Sequence, residues 1–358
     1  MKKALIIFPD EWISYSPTVL NFIDCFKLIK FEVIVFAFDD GSFENKFSCE
    51  GIEYIKIHPF ISRVLRKVRL YKILKVFLIL CRLIGIKKKY NHFDVVLAVD
   101  YLGFIPARIL FSKTILLSLE ATKNIFLNIV KLFKRDCLII QTEERKDYLF
   151  GQSFNKVYYI QNSPRIVTPL KKEKHNGKRL ILLGNLVAEH GVQECIESLA
   201  LLEGYTLLLK GPISKTYLEY ISDKYKNLIL NKKISFDPTY IEQNNILSFL
   251  SEFDIGFCLY NMKLISEQDF NYISCPSGKL FNYFAAGIPV IGSNILGLKS
   301  IRQYNAGVLT NTLSPESIIK AIKEIDGNYK EYSENSYRAG NDFDFNKAFD
   351  VFIKDYFR

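Results

Sequence analysis

Residues 275–293 read CPSGKLFNYFAAGIPVIGS. The small turn Pro276-Ser277-Gly278 leads into an apolar helix that carries Lys279 and Leu280 in its first turn. The helix stops at Ala285-Ala286-Gly287, where Gly287 supplies the left-handed C-terminal conformation, and Pro289-Val290-Ile291-Gly292 opens a strand. A loop, a helix and an apolar strand in that order belong to a parallel α/β sheet. In such sheets ligands sit beyond the carboxyl ends of strands, where unpaired N–H groups and the helix dipole favour an anion. The Ser277 hydroxyl and the Lys279 cation at that turn suit a diphosphate; an ordinary N-cap by Ser277 is the alternative for this segment taken alone.

The same layout recurs upstream. Gly184-Asn185-Leu186 follows an apolar strand at 180–183 and precedes His190-Gly191 and a helix; Lys210-Gly211-Pro212 follows a strand at 206–209. Three such loops on one sheet edge make a nucleotide cradle. Further strands at 255–259, 289–291 and 307–309 alternate with helices at 216–226, 241–251, 279–286 and 315–325. The first half repeats the pattern, with strands at 4–8, 33–38, 54–57, 95–99, 115–119, 138–140 and 157–160. Continuous apolar strands separated by helices imply parallel sheets covered on both faces. Between the halves, QNSPRIVTPLKKEKHNGK at 161–178 breaks all periodicity with prolines, Asn-Gly and charges. A chain of 358 residues exceeds the size at which one core stops growing. The expected organisation is therefore an N-terminal domain at 1–163, a linker at 164–178, a C-terminal domain at 179–340 and a terminal helix at 341–358 packing back on the first domain. The fold class is α/β, with two Rossmann-like doubly wound domains facing across a cleft.

The motifs of the second domain resemble those of the family-4-like, retaining group of GT-B glycosyltransferases. In that group a Gly-x-Leu loop, a basic residue followed by Gly, an "aDigl.py" strand and a "SxPxKLFEYxAxGxPVI" segment occur in order. Here they read Gly184-Asn185-Leu186 with His190-Gly191, then Lys210-Gly211, then Phe253-Asp254-Ile255-Gly256-Phe257-Cys258-Leu259-Tyr260, then Ser274 through Ile291. The resemblance implies donor-binding roles for Gly184, Asn185, His190, Lys210, Gly211, Pro276, Ser277, Gly278, Lys279, Leu280 and Asn282, with Asn271 in the variable stretch after Tyr260. It also exposes departures: the group places Arg where Asn185 stands, Arg or Lys at His190, and Glu at Asn282. Three charged donor-site groups are missing, and Lys210 and Lys279 are left to compensate.

The first domain should present the acceptor and a catalytic base. FDVVLAVDYLGFIPARIL and TILLSLE are similar to the group's acceptor-domain strands, the second of which often ends in His-Glu; here Leu119 replaces the histidine and Glu120 remains. Glu120 and then Asp100 are the catalytic candidates, with helix-capping or first-turn acids as the alternative reading. Asp342-Phe343-Asp344 has the form of a metal-binding Asp-x-Asp but stands just before the terminal helix, where acids cap, so no metal and no cofactor are expected. The seven cysteines are scattered, with no Cys-x-x-Cys pair, which reads as reduced thiols in the cytoplasm.

Net charge is +10, and residues 61–93 hold ten Lys/Arg with no acid. Setting those ten aside leaves as many basic as acidic residues elsewhere, so the excess is one patch. On a helical wheel Val64, Leu65, Val68 and Tyr71 share one side, opposite Arg63, Arg66, Lys67 and Arg69. The following apolar run at 73–86 contains Lys75 and Arg82 and is too short to span a bilayer, which needs about twenty residues. An interfacial helix lying against an anionic membrane surface is the expectation. A solvated basic surface and a nucleic-acid patch are the alternatives, the latter lacking stacking aromatics or a groove-entering motif.

The resulting expectation is transfer of a sugar from a nucleotide diphosphate sugar to a saccharide or lipid-linked oligosaccharide in surface polysaccharide synthesis, at the inner face of the membrane, without nucleic acid. By resemblance the reaction is hexosyl transfer with retention and without metal. A degenerate binding protein that does not catalyse and a sugar-nucleotide epimerase are the competing readings.

Overall fold

The computed structural model describes residues 1–41, 51–67, 70–167, 178–266 and 269–358. Arg69 and Val68 of the basic stretch, residues 168–177 of the expected linker, and residues 267–268 lie outside the described residues. The chain divides into two units, Met1–Gln161 with Ala348–Arg358, and Asn162–Lys347.

The first unit is built on seven parallel strands: β1 (Lys3–Ile7), β2 (Glu32–Asp39), β3 (Ile52–Lys56), β4 (Val95–Val99), β5 (Ile115–Ser118), β6 (Cys137–Ile140) and β7 (Lys156–Tyr159), in the order β3-β2-β1-β4-β5-β6-β7. The strands β4 to β6 are buried along their whole length, as their unbroken apolar sequences require when helices cover both faces. Chain order reverses between β1 and β4, which leaves a crevice at the carboxyl ends of these two strands. The helix Phe345–Tyr356 completes the core of this unit. Phe349 meets Phe26 at 5.2 Å and Phe22 at 6.0 Å between ring centroids, Phe352 also packs on Phe22, and the Tyr158 hydroxyl donates to Asp355. Each buried ring contributes roughly 1.5–3 kcal/mol through area removed from water.

The second unit has six parallel strands: β8 (Arg179–Leu183), β9 (Thr206–Lys210), β10 (Ile234–Asp237), β11 (Ile255–Cys258), β12 (Val290–Ser293) and β13 (Gly307–Thr310), ordered β10-β9-β8-β11-β12-β13. Its reversal point lies between β8 and β11. The segments by which the chain enters and leaves this unit run side by side: the Phe345 N–H donates to the Pro164 carbonyl at 3.2 Å and the Ile166 N–H to Asp344 Oδ1 at 3.1 Å. Asp344 also accepts from the Asn346 N–H at 3.1 Å, in the first turn of the terminal helix, and Asp342 accepts from the Tyr304 hydroxyl.

Strand β10 and the helix Tyr329–Asp342 are among the elements that differ from the sequence reading. Strand β10 was not expected, because Ser235 and Asp237 interrupt its apolar pattern, as suits an edge strand. The helix Tyr329–Asp342 was missed because its sequence YKEYSENSYRAGND is nearly all polar. Besides Tyr332 it buries small residues: a Cβ on Gly340 would lie 2.6 Å from the Ala285 backbone, so only glycine admits that approach.

The basic stretch needs a larger correction. It forms two helices, Pro59–Lys67 and Tyr71–Tyr90, and the wheel over 63–71 does not describe its burial. Ser62 is buried in the first, whereas Val64 is 42% exposed. In the second, Tyr71, Lys75, Ile79, Leu83 and Ile86 form the buried ridge. Acids from elsewhere come to meet the cations. Lys75 Nζ lies 2.9 Å from both Asp10 Oδ1 and Glu11 Oε1; Arg66 lies 2.7 Å from Asp40 Oδ2; Arg82 lies 2.5 Å from Glu53. Ser62 and Tyr71 also donate to Asp40. Arg66 is therefore a bridging residue rather than a free membrane-facing cation, while Arg63 and Lys67 are exposed. Phe60, Ile61, Leu70, Ile73 and Phe77 are exposed on the same two helices and the residue between them.

Candidate functional site

The carboxyl ends of β8, β9 and β10 are laced together by backbone hydrogen bonds. The Gly184 N–H donates to the Lys210 carbonyl at 2.9 Å, the Leu186 N–H to the Pro212 carbonyl at 2.9 Å, and the Gly211 N–H to the Asp237 carbonyl at 3.0 Å. Gly211 sits at φ +138°, and a Cβ there would fall 2.2 Å from the Gly184 carbonyl oxygen. No other residue fits at that contact.

Lys279 faces this edge from the helix Gly278–Ala285. Its orientation is set one turn later, by Tyr283, which shares its helix face at i+4. Tyr283 is fully buried, and its hydroxyl accepts from the Leu183 N–H at 2.9 Å, pinning the helix to the end of β8. Lys279 thereby lies over Gly184, whose Cβ position is 3.8 Å from the Lys279 Cδ. Lys279 is only 9% exposed, and its Nζ has no hydrogen-bond partner among the described residues. The Tyr260 ring, 5.5 Å away, is its nearest compensation. A buried ammonium without a partner is costly, so an anionic ligand is the natural complement. Ser277 is the N-cap residue, yet its side chain makes no capping bond; its hydroxyl is directed toward Cys258 and Tyr260. The plain N-cap alternative does not describe this serine.

His190 is the second group at the site. It ends a turn of 3-10 helix, Ala188–His190, and Gly191 in the left-handed conformation starts the helix Val192–Ala200. Its Nδ1 lies 2.8 Å from the Asn185 carbonyl oxygen and its ring meets Tyr260 edge-on at 5.4 Å. Burial first and then the Lys279 charge hold the imidazole down at about 4, against the Asn185 bond and the Glu189 charge. At neutral pH it carries no charge.

Lys210 has partners of its own. Its ammonium is 2.7 Å from Asp237 Oδ2 and 2.8 Å from Thr239 Oγ1, with only 3% of the side chain exposed. The same pairing holds the Asp237 carboxyl down at about 2. Lys210 is thus already paired with an acid of this unit. Of the remaining donor candidates, Pro276 and Leu280 are buried, Gly278 and Asn282 are half-buried, Asn185 is exposed, and Asn271 lies in the short helix Phe270–Ile273. Sequence reasoning missed Tyr260 and Tyr283; the signals were the place of Tyr260 just past β11 at the reversal point, and the i+4 spacing of Tyr283 from Lys279.

In the first unit the crevice between β1 and β4 is flanked by Asp10 and Asp100. Asp100 adopts φ +47°, a left-handed conformation that is costly for a non-glycine residue. It starts the helix Asp100–Leu110 without capping it. Its Oδ1 instead accepts from the N–H groups of Leu119, at 2.9 Å, and Glu120, at 3.3 Å, past the end of β5. Burial pushes its carboxyl up to about 7; the two N–H bonds oppose that shift, while the Glu120 and Asp10 charges add to it. Glu120, ranked first from sequence, is exposed, and the perturbed acid is Asp100. Among the described residues no cluster of three or more His, Cys, Asp or Glu side chains could hold a metal.

No protein-family model and no curated protein matches this chain. Solved structures do. A glycosyltransferase from Rickettsia africae is 16% identical with a TM-score of 0.71, over 99% of this chain and 98% of its own. Anabaena HepE, crystallised with UDP and glucose, is 14% identical with a TM-score of 0.69, over 99% of both chains. A putative UDP-N-acetylglucosamine 2-epimerase from Listeria monocytogenes is 14% identical with a TM-score of 0.61, over 100% of this chain and 96% of its own. The chain has the GT-B fold of two Rossmann-like domains.

Proposed function

We propose that this protein transfers a sugar from a nucleotide diphosphate sugar, with the donor diphosphate held at Ser277, Gly278 and Lys279. The observation that carries this reading is the buried Lys279 ammonium, unpartnered by hydrogen bonds among the described residues, at the start of a helix and over Gly184. Helix dipole and cation act on one anion there. That HepE was crystallised with UDP and with UDP-glucose supports this class of ligand. Asp100, ionised above pH 7, would serve as the base toward the acceptor hydroxyl, ahead of Glu120. No cofactor or metal enters the scheme, and the transfer is hexosyl transfer with retention. Asn282 would bond the ribose.

The acceptor in this proposal is a lipid-linked saccharide of a surface polysaccharide, met at the cytoplasmic face of the membrane. Its support is the exposed apolar set Phe60, Ile61, Leu70, Ile73 and Phe77 beside Arg63 and Lys67. No described helix is long and apolar enough to cross a membrane. A basic residue near an anionic leaflet contributes about 1 kcal/mol, so after the correction at Arg66 and Lys75 the exposed aromatics carry more of the attraction. Flotation with anionic liposomes tests this: binding that survives Phe60→Ser with Phe77→Ser would sink it.

A thermal-shift screen of nucleotide diphosphate sugars, followed by chromatographic product analysis, tests the central reading. A stabilising donor consumed with formation of a glycoside supports it; an isomerised donor would favour epimerisation, the reading to which the likeness to the 2-epimerase lends weight. Tight binding without turnover would favour a degenerate binder, for which the neutral His190 and the exposed amide at Asn185 are the motive.

A further inference from the structure

Resting on the donor-site reading above, we propose that His190 takes up one proton from solvent when the donor diphosphate binds, and so supplies the second positive charge of that site. The need for such a charge follows from the surroundings. A diphosphate diester carries two negative charges, Lys279 offers one ammonium, and Lys210 is already neutralised by Asp237. Asn185 brings an amide where a guanidinium would complete the pair.

The geometry fixes which atom titrates. A carbonyl oxygen only accepts hydrogen bonds, so the 2.8 Å contact with Asn185 O requires the proton on Nδ1. The neutral ring therefore keeps its lone pair on Nε2, and protonation adds an N–H donor there without disturbing the Asn185 bond. The groups facing the ring are the Lys279 ammonium from the helix Gly278–Ala285, the Tyr260 ring past β11, the Asn185 carbonyl, and Glu189 on its own turn. Of these only Lys279 and burial oppose the proton. An anion seated against Lys279 offsets its charge and adds attraction of its own. Proton uptake and anion binding are then one linked event, and each strengthens the other.

The test uses sulfate, which stays a dianion from pH 5 to 8 and so contributes no titration. The chain has four histidines; with 15N-labelled histidine the His190 signals are assigned by their loss in His190→Gln. Without sulfate the His190 ring should stay neutral down to pH 5. At saturating sulfate its midpoint should rise by about two pH units or more, as expected for a dianion within about 6 Å at an effective dielectric near 20. Sulfate affinity, followed on neighbouring amide signals, should tighten severalfold from pH 8 to 5.5 in the wild type and lose that dependence in His190→Gln. Saturation with His190 still neutral at pH 5, or an unchanged pH dependence in His190→Gln, overturns the proposal while leaving the donor site standing. Sulfate affinity equal in the wild type and Lys279→Met overturns the donor site itself, and this proposal with it.

Discussion

Replacing Lys279 by methionine separates a functional cation from a structural one, because the two roles predict opposite changes in stability. The side chain is 9% exposed and its ammonium has no hydrogen-bond partner among the described residues. An unsatisfied buried polar group costs about 1–3 kcal/mol, more when charged; a desolvated cation over an aromatic face recovers up to about 2 kcal/mol, here from Tyr260. An ammonium lies at or above the top of that range, so roughly 1–2 kcal/mol of net cost remains, which methionine removes while filling the same volume. Without ligand the variant should melt higher, by about 2–4 °C per kcal/mol for a unit of this size, hence by several degrees. Turnover should fall about 10²–10³-fold, the usual effect of deleting a donor aimed at charge on a leaving group. The stabilisation that a nucleotide diphosphate sugar gives the wild type should vanish. Calorimetry of the free protein and initial rates with a fixed donor supply both halves. A variant that melts lower than wild type, or one that turns over within threefold of it, refutes the reasoning.

Gly211→Ala forces a Cβ to 2.2 Å from the Gly184 carbonyl at φ +138°, so it should cost about 3 kcal/mol or more in denaturant unfolding and weaken donor binding beyond that. Phe352→Ala, in the terminal helix, should destabilise the first unit by roughly 3–5 kcal/mol, visible as a lowered urea midpoint for that unit. Asp100→Asn tests the perturbed acid. The folded protein keeps that proton up to about 7, whereas an unfolded aspartic acid ionises near ~3.9. The folded state thus binds more protons in that window, and wild-type stability should decline as pH rises from about 4 to 7. The variant should lose this decline and, with it, any activity limb near pH 7.

Much of the fold was legible because its strands are unbroken apolar runs. Val95–Val99 and Ile255–Cys258 need no tertiary information to be read as buried parallel strands. The Gly278–Ala285 helix was legible from its turn, its Lys279 and its terminal Gly287. What sequence could not supply was pairing across distance. Lys75 and Arg66 look like members of a free basic patch until Asp10, Glu11 and Asp40 are brought to them from the ends of β1 and β2. Lys210 looks like a phosphate ligand until β10, itself unexpected, delivers Asp237. Glu120 and Asp100 are indistinguishable as acids after strands; only burial separates them. The helix Tyr329–Asp342 hides because, apart from Tyr332, its buried residues are the small Ser336, Ala339 and Gly340.

The terminal helix has a consequence for the order of synthesis. Phe22 and Phe26, which precede the second unit in the chain, are covered by Phe349 and Phe352, which follow it. The second unit lies wholly between those points in the chain, so it can finish folding on the ribosome while the first, though begun earlier, still exposes an aromatic face. A premature stop just before the terminal helix would spare nearly every residue of the first unit and still leave it unfinished.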